Sequence, residues 1–243
     1  MNDDIHLSVV IPAYNEEKRL PKTLKSINDY LVKQSYGYEI IVVNDGAKDK
    51  TADVVKSLMP TIKNLQLIDN KVNQGKGAVT RQGMLAAKGK YRIFTDADNS
   101  TTINQVEKMF PEFEKGFDVV IGSRDVKGAI LNPPQGPARR FVGNVFNLMV
   151  QVILGLWGVW DTQCGFKAMT EKATLEIMPM CKVNRFAFDP EILILARRKG
   201  YKIKEIPVIW VNDLQSTVTI KAIFRMLRDL LGIRWNLMTG KYK

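Results

Sequence analysis

Asp96 and Asp98 stand two residues apart with the small Ala97 between them, so both carboxylates can face one side of an extended turn. Such a pair can hold a divalent cation and bridge it to a diphosphate, where the cation neutralises charge on a departing oxygen. His6 is the sole histidine, which argues against histidine general-base chemistry and histidine-rich zinc sites. The metal implied is one that oxygen ligands hold, Mg2+ or Mn2+. Acidic triplets are also common in solvated loops, and what gives this one weight is its company. Tyr14-Asn15-Glu16, Asn44-Asp45-Gly46 and Asp96-Ala97-Asp98 each follow a short apolar run directly. Asp45 reads either as the first residue of an Asp-Gly turn or as a carboxylate that bonds the base or ribose of a nucleotide. Gly75-Lys76-Gly77 reads either as a plain turn or as a loop leading a helix N-terminus toward phosphate.

These residues need a scaffold, and the hydrophobic pattern supplies one. Strand-like runs at 7–11, 40–43, 65–68, 91–95 and 119–121 alternate with helical stretches at 17–32, 51–59 and 77–87, the second opened by Asp49. Strands alternating with helices imply crossover connections and a mostly parallel sheet covered on both faces. Ligands of such sheets bind beyond the carboxyl ends of the strands, so the three polar clusters are expected on one rim. Residues 126–138, rich in proline and glycine, read as a loop between Arg124 and the pair Arg139-Arg140. The uncharged run 141–160 has the length of a membrane span. Asn144, Asn147, Gln151 and three glycines favour an interface-lying or core helix instead. Over 220–237, apolar residues at helical spacing are interspersed with Lys221, Arg225, Arg228 and Arg234. That helix either lies on anionic lipid or packs on the domain with its basic face in water. The expected division is one α/β domain over 1–213, its loop and apolar helix at about 124–160, and a basic amphipathic tail over 214–243.

Charge narrows the partners. Among 243 residues, 36 Lys and Arg outweigh 25 Asp and Glu for a net charge of +11, which suits nucleic acid, an anionic membrane surface or a phosphorylated substrate. No nucleic-acid module and no aromatics interleaved with basic residues are found, so nucleic acid is not expected. Two cysteines, Cys164 and Cys181, are too few for a disulfide framework and suggest a reducing compartment. The acidic start Met1-Asn2-Asp3-Asp4 leads straight into a strand, and no signal peptide is visible.

The stretches Val9-Val10-Ile11-Pro12-Ala13-Tyr14-Asn15-Glu16-Glu17, Val42-Val43-Asn44-Asp45-Gly46, Asn73-Gln74-Gly75-Lys76-Gly77 and Asp96-Ala97-Asp98 together resemble glycosyltransferase family two. The continuation Ile121-Gly122-Ser123-Arg124, Asp161-Thr162-Gln163-Cys164-Gly165-Phe166-Lys167 and Arg185-Phe186-Ala187-Phe188-Asp189 looks like the polyprenyl-phosphate sugar transferases. Within these it most resembles the dolichyl-phosphate β-glucosyltransferase branch, with the mannose synthases close cousins. The resemblance implies a single nucleotide-sugar-binding domain of the GT-A, Rossmann-like type, with amphipathic membrane-surface helices. It implies that Pro12, Ala13, Tyr14, Glu16, Asp45, Lys76, Asp96 and Ala97 line the donor nucleotide. Asp96 and Asp98 would hold the metal, with Asp98 the direct ligand. Arg124, one of Arg139 or Arg140, and Gln163 would clamp the acceptor phosphate, and Asp161 would stand beside Asp98 and Arg124 near the reacting centre.

A phosphate monoester, with its second pKa near 6, is largely dianionic at neutral pH and already a nucleophile. The site must position two anions that repel each other, which calls for arginines and a metal. Asp161 therefore reads as an orienter of those arginines or of a lysine at least as readily as a base. Asp189 precedes Pro190 and a helix, so N-capping explains it, and Phe186 and Phe188 are expected in the core. Three positions depart from the family pattern. Asn44 stands where relatives often carry a first aspartate, and Ser100 stands where mannose synthases place a glutamine ligand. Gln215-Ser216-Thr217-Val218 lacks a lysine at Thr217, for which Lys221 could compensate. The implied activity is direct, inverting transfer of glucose from UDP-glucose to a polyprenyl or dolichyl phosphate. It would be carried out by a peripheral protein at the cytoplasmic face of a membrane. A mannose synthase using GDP-mannose, a family-two enzyme with another acceptor and a binding protein without turnover stay open as alternatives.

Overall fold

The computed structural model describes residues 5–134, 136–211 and 220–242, with the side chains at 137–139 and 220–224 outside that description. The 215–218 stretch thus lies outside the described residues, as do the side chains of Arg139 and Lys221. The chain runs β1 (Ile5–Ala13), α1 (Leu20–Leu31), β2 (Gly37–Asp45), α2 (Thr51–Leu58), β3 (Leu65–Asn70), α3 (Lys76–Ala86) and β4 (Tyr91–Thr95). A 3-10 turn at Ile103–Lys108 leads into α4 (Phe110–Glu114), β5 (Val119–Ser123), β6 (Ile130–Asn132) and α5 (Pro137–Leu154). Then follow β7 (Phe166–Thr170), α6 (Glu171–Ile177), α7 (Phe188–Arg198), β8 (Ile203–Pro207), β9 (Ile209–Val211) and α8 (Ile220–Met238).

Seven strands form one sheet in the order β3-β2-β1-β4-β7-β5-β8, parallel except for β7, which runs antiparallel to both of its neighbours. The alternation of side chains explains why both faces are covered. Val9, Ile11, Ile40 and Val42 pack with Leu24 and Ile27 of α1 on one face. Val10, Ile41, Val43 and Phe94 pack with Val79 and Met84 of α3 and with Ile192 and Leu195 of α7 on the other. This is the GT-A-like α/β fold that the motif resemblance implied.

Three features differ from the sequence pattern. β7 reads poorly as a strand because Lys167 interrupts its apolar run, yet that lysine is fully buried. The stretch 126–138 is not all loop: β6 pairs with β9 as a small second sheet, and α5 begins at Pro137, a residue suited to a helix start. At the other end, α5 stops at Leu154 rather than continuing to 160, because Gly155 takes a left-handed conformation at φ 72° and caps it. Among the described residues no helix is long and apolar enough to cross a membrane. α5 and α8 instead pack side by side, each with one buried face. Phe146, Val150 and Leu154 of α5 and Leu230, Ile233 and Leu237 of α8 join the core.

Candidate active site

The carboxyl ends of β1, β2, β4 and β5 share one rim, because β4 and β5 both oppose β7 and so run parallel to each other. β7 therefore begins at that rim, with Phe166 opposite Thr95. This topology brings the loop before β7, residues 161–165, against Asp96-Ala97-Asp98 although they are more than sixty residues apart in sequence. The approach is close: a Cβ on Gly165 would fall 2.1 Å from Asp96 Oδ2, so any larger residue there would displace the Asp96 carboxylate.

Asp96 is held from the other side by Lys76, whose Nζ donates to Oδ1 at 2.6 Å. Asp98 accepts from the Ser100 backbone N–H at 2.9 Å through Oδ1. Ser100 itself is buried, and its carbonyl accepts from Val211 N–H, so it braces the turn. Among the described residues, no three His, Cys, Asp or Glu side chains gather into a metal-binding group, so the acidic donors are Asp96 and Asp98 alone. A cation at nucleotide sites is commonly held by one or two carboxylates, with phosphate oxygens and water completing the shell, and this oxygen-only pair fits that pattern.

Among the residues that the resemblance assigns to the nucleoside, Pro12 and Ala13 end β1 in the core and Tyr14 emerges 40% exposed at the rim. The Glu16 carboxylate forks to Arg19, and its backbone N–H donates to Thr51 Oγ1 at 2.8 Å. Asp45 is committed to structure. Its carboxylate accepts from Gln74 N–H (2.6 Å), Gly75 N–H (3.0 Å) and Asn73 Nδ2 (2.9 Å), three of the roughly four positions a carboxylate offers. It anchors the loop that carries Lys76. Asn44 likewise braces β2 against β3, donating to Asp69 at 2.8 Å.

The region that the resemblance assigns to the acceptor phosphate is built on Asp161, which is fully buried. Arg124 donates Nε to its Oδ2 (2.7 Å) and Nη2 to its Oδ1 (2.8 Å), and the Arg124 backbone N–H adds a third bond at 2.9 Å. Burial alone would raise the Asp161 carboxyl, but the Arg124 charge and hydrogen bonds outweigh it and hold the group below its ordinary range. Arg124 also stacks on Trp210, its guanidinium carbon 4.8 Å from the ring centre, while Trp210 Nε1 is buried without a partner among the described residues. The Gln163 backbone N–H donates to Asp161 Oδ1 at 3.3 Å. Arg140 is exposed in the first turn of α5. Arg139 shares that turn. Burial pushes the Cys164 thiol up to about 12, so it packs rather than reacts.

Several residues of this region were not read from the sequence. Glu205 of β8 accepts from the Trp160 and Asp161 backbone N–H groups at 2.9 and 3.0 Å and fixes the loop's start. Asn147 of α5 accepts from the Thr162 hydroxyl at 3.0 Å, tying that helix to the same loop. Asp189 is corrected: Ala187, not Asp189, caps α7, and the Asp189 carboxylate pairs with Lys167 Nζ at 2.6 Å inside the core. Burial raises the Asp189 carboxyl, and Lys167 and Lys76 pull it back only part of the way. Phe188 is buried as expected, but Phe186 is 55% exposed. Lys167→Met strands that buried carboxyl and is expected to cost about 3–5 kcal/mol in urea unfolding. Lys167→Met/Asp189→Leu should recover most of the loss. A double variant as unstable as the single one would show that the pair's geometry, not its charge, is what the core needs.

Comparison with known proteins agrees with this architecture. The family model for glycosyl transferase family 2 matches residues 8–174. A dolichyl-phosphate beta-glucosyltransferase of Trichomonas vaginalis is 37% identical over 249 residues, covering 98% of this chain and 76% of that protein. The Saccharomyces cerevisiae and Homo sapiens proteins of the same name are 35% and 33% identical, covering 100% and 98% of this chain and 78% and 77% of theirs. Among solved structures, Mycobacterium tuberculosis glucosyl-3-phosphoglycerate synthase, bound to Mn2+, UDP and its product, superposes with TM-score 0.69 at 18% identity, covering 94% of this chain and 78% of that one. Mannosyl-3-phosphoglycerate synthase of Rubrobacter xylanophilus superposes with TM-score 0.71 at 16% identity, covering 98% and 76%. The family model spans more than half of the chain and the relatives nearly all of it, so the chain belongs to glycosyl transferase family 2 as a glycosyltransferase.

Proposed function

We propose that this glycosyltransferase moves glucose from UDP-glucose to dolichyl phosphate, with inversion and without a covalent intermediate, while resting on a membrane surface. The observation that carries the reading is the 161–165 loop. It abuts Asp96 through Gly165, locks Arg124 through Asp161 and is tied to α5 through Thr162. Donor phosphates, acceptor phosphate and the surface-lying helix would therefore meet at one short segment. Relatives named for dolichyl phosphate and β-glucose over nearly the whole chain support the acceptor and sugar. The bound UDP of the structural neighbours suits the nucleotide.

Asp96 and Asp98 would hold Mg2+ or Mn2+, which when bound supplies Lewis-acid neutralisation of the leaving diphosphate. The chain's own residues do the rest. Tyr14, beyond Pro12 and Ala13, offers a ring beside the nucleoside, with Glu16 and Asp45 shaping that wall. Lys76 stands 2.6 Å from Asp96 and so within reach of a phosphate bound there. Arg124 spends Nε and Nη2 on Asp161, which leaves its Nη1 edge for the acceptor phosphate. Arg139, Arg140 and Gln163 would complete that clamp, and Trp210 Nε1 is a spare donor beside it.

Membrane contact rests on two exposed stripes. Phe141, Val145, Leu148 and Val152 recur along α5, and Leu231, Trp235 and Met238 along α8, all between 40% and 69% exposed. Arg140, Arg225, Arg228 and Arg234 flank them. Apolar faces rimmed by arginine suit insertion at the headgroup level of an anionic leaflet.

The test is a transfer assay with labelled UDP-glucose, UDP-N-acetylglucosamine and GDP-mannose, a short polyprenyl phosphate and Mn2+. Glucosyl lipid from UDP-glucose is expected, abolished by chelator and restored by added Mn2+. Product from GDP-mannose alone would overturn the sugar and nucleotide assignment. Equal turnover on a water-soluble acceptor would overturn the lipid one.

A further inference from the structure

A cavity of about 630 Å³ lies between the 182–185 loop and one face of α8, and Asp96, Asp98, Arg124 and Asp161 are not among its lining residues. Its walls carry Lys182, Arg185, Arg225 and Arg228 against a single carboxylate, Asp229. Lys182, Arg185 and Arg225 join no ion pair among the described residues, and Arg228 reaches Asp229 only at 3.7 Å. Four cations crowded around one acid repel each other unless an anion joins them, so the cavity is electrostatically set for one. Its wall is fixed in advance: Lys182 and Val183 N–H donate to Glu191, Asn184 O accepts from Ala78 N–H, and Arg81 donates to Asn184 Oδ1. The loop backbone is thus held before a ligand arrives, and the four exposed cationic side chains are what a ligand would order.

The position on α8 says which anion. At about 100° per residue, Arg225, Gly232 and Asn236 share the cavity face, while Leu231, Trp235 and Met238 share the exposed apolar face beside it. Arg228 sits at the boundary of the two faces, and exposed Phe186 follows Arg185 on the opposite wall. An anion that also brings acyl chains satisfies both faces at once.

We propose that this cavity binds the phosphate headgroup of an anionic bilayer lipid, as a docking site separate from the acceptor clamp. The proposal rests on the membrane-surface reading above, and the test separates the two. Binding to vesicles of phosphatidylcholine alone, and of phosphatidylcholine with phosphatidic acid, is measured by co-sedimentation. Three proteins are compared: wild type, Arg225→Gln/Arg228→Gln, and the control Arg234→Gln/Lys241→Gln, which removes the same charge from exposed positions outside the cavity. The cavity variant is expected to bind phosphatidic acid vesicles about tenfold more weakly than the control does. It should bind neutral vesicles as wild type does and keep wild-type KM for the short polyprenyl phosphate. Equal losses in the two variants would overturn the lipid site while leaving membrane docking intact. Failure of wild type to bind any vesicle would overturn both. A second arm compares thermal stabilisation by short-chain phosphatidic acid and by inorganic phosphate. Greater stabilisation by the lipid, lost in the cavity variant, is expected, whereas equal stabilisation by both would assign the cavity to free phosphate and overturn the proposal.

Discussion

Asp161→Asn is expected to raise the acceptor KM on the order of ten- to a hundredfold, equivalent to roughly 1.4–2.8 kcal/mol, with a smaller change in kcat. The expectation follows from what the carboxylate already does. Both oxygens bond Arg124, the group has no exposure to solvent, and its proton affinity is held below normal. A general base works best with a pKa near the operating pH, which is the opposite direction. The acceptor does not call for one either, since a phosphate monoester with second pKa near 6 carries its nucleophilic charge at neutral pH. An asparagine keeps the size but offers one acceptor oxygen, so Arg124 loses one arm of its fork and its Nη1 edge is no longer held. A collapse of kcat with unchanged acceptor KM would restore the role of base. Asp161→Ala goes further and leaves a largely buried guanidinium unpaired, at about 3–5 kcal/mol of stability. Because the folded pKa of Asp161 is depressed, its contribution is fully present above the ordinary carboxylate pKa and is lost as pH falls through the lowered one. The difference in urea midpoint between wild type and Asp161→Ala should therefore shrink in strong acid and be constant from about pH 5 upward.

The two halves of the molecule differ in how openly the sequence describes them, for physical reasons. Val9, Val43 and Phe94 sit in strands buried on both faces, which read as unbroken apolar runs ending in polar residues. Those runs locate the rim, and with it Asp96 and Asp98. β7 breaks the rule because its second residue is a charged one in the core, Lys167, whose partner Asp189 looks like a helix cap when only sequence neighbours are considered. The strand's antiparallel direction is a tertiary fact with no local signature, yet it is what delivers Gly165 to Asp96. Glu205 was invisible for a related reason: an exposed-looking acid in a strand that alternates lysine and isoleucine gives no hint that it accepts two backbone N–H groups from another loop. Asp45 taught the converse. Its motif was legible, but its three bonds to residues 73–75 belong to the loop rather than to open space.

Removing Asp98 gives the largest expected loss in turnover, about 10²–10³-fold for Asp98→Ala, because no third acidic side chain among the described residues can take its place. The more discriminating variant is Lys76→Met. In the structure Lys76 Nζ bonds Asp96 Oδ1 at 2.6 Å, so a divalent cation held by that carboxylate would have to compete with the lysine for it. Without nucleotide, a cation held by Asp96 and Asp98 would have to displace this ammonium, whereas with a diphosphate bound the lysine would have a new anion to bond. Lys76 would in this way make metal binding depend on donor binding. Lys76→Met should bind Mn2+ more tightly than wild type without UDP, about tenfold by electron paramagnetic resonance of the free ion, an energy of roughly 1.4 kcal/mol. With UDP present the order should reverse, since the variant lacks the lysine's bond to phosphate. Asp96→Asn, which loses the competing anion as well, should show weak Mn2+ binding in both conditions. If Lys76→Met bound Mn2+ no better than wild type in the absence of nucleotide, the lysine would be a simple structural partner of Asp96, and the coupling of metal to donor would have to come from the phosphates alone.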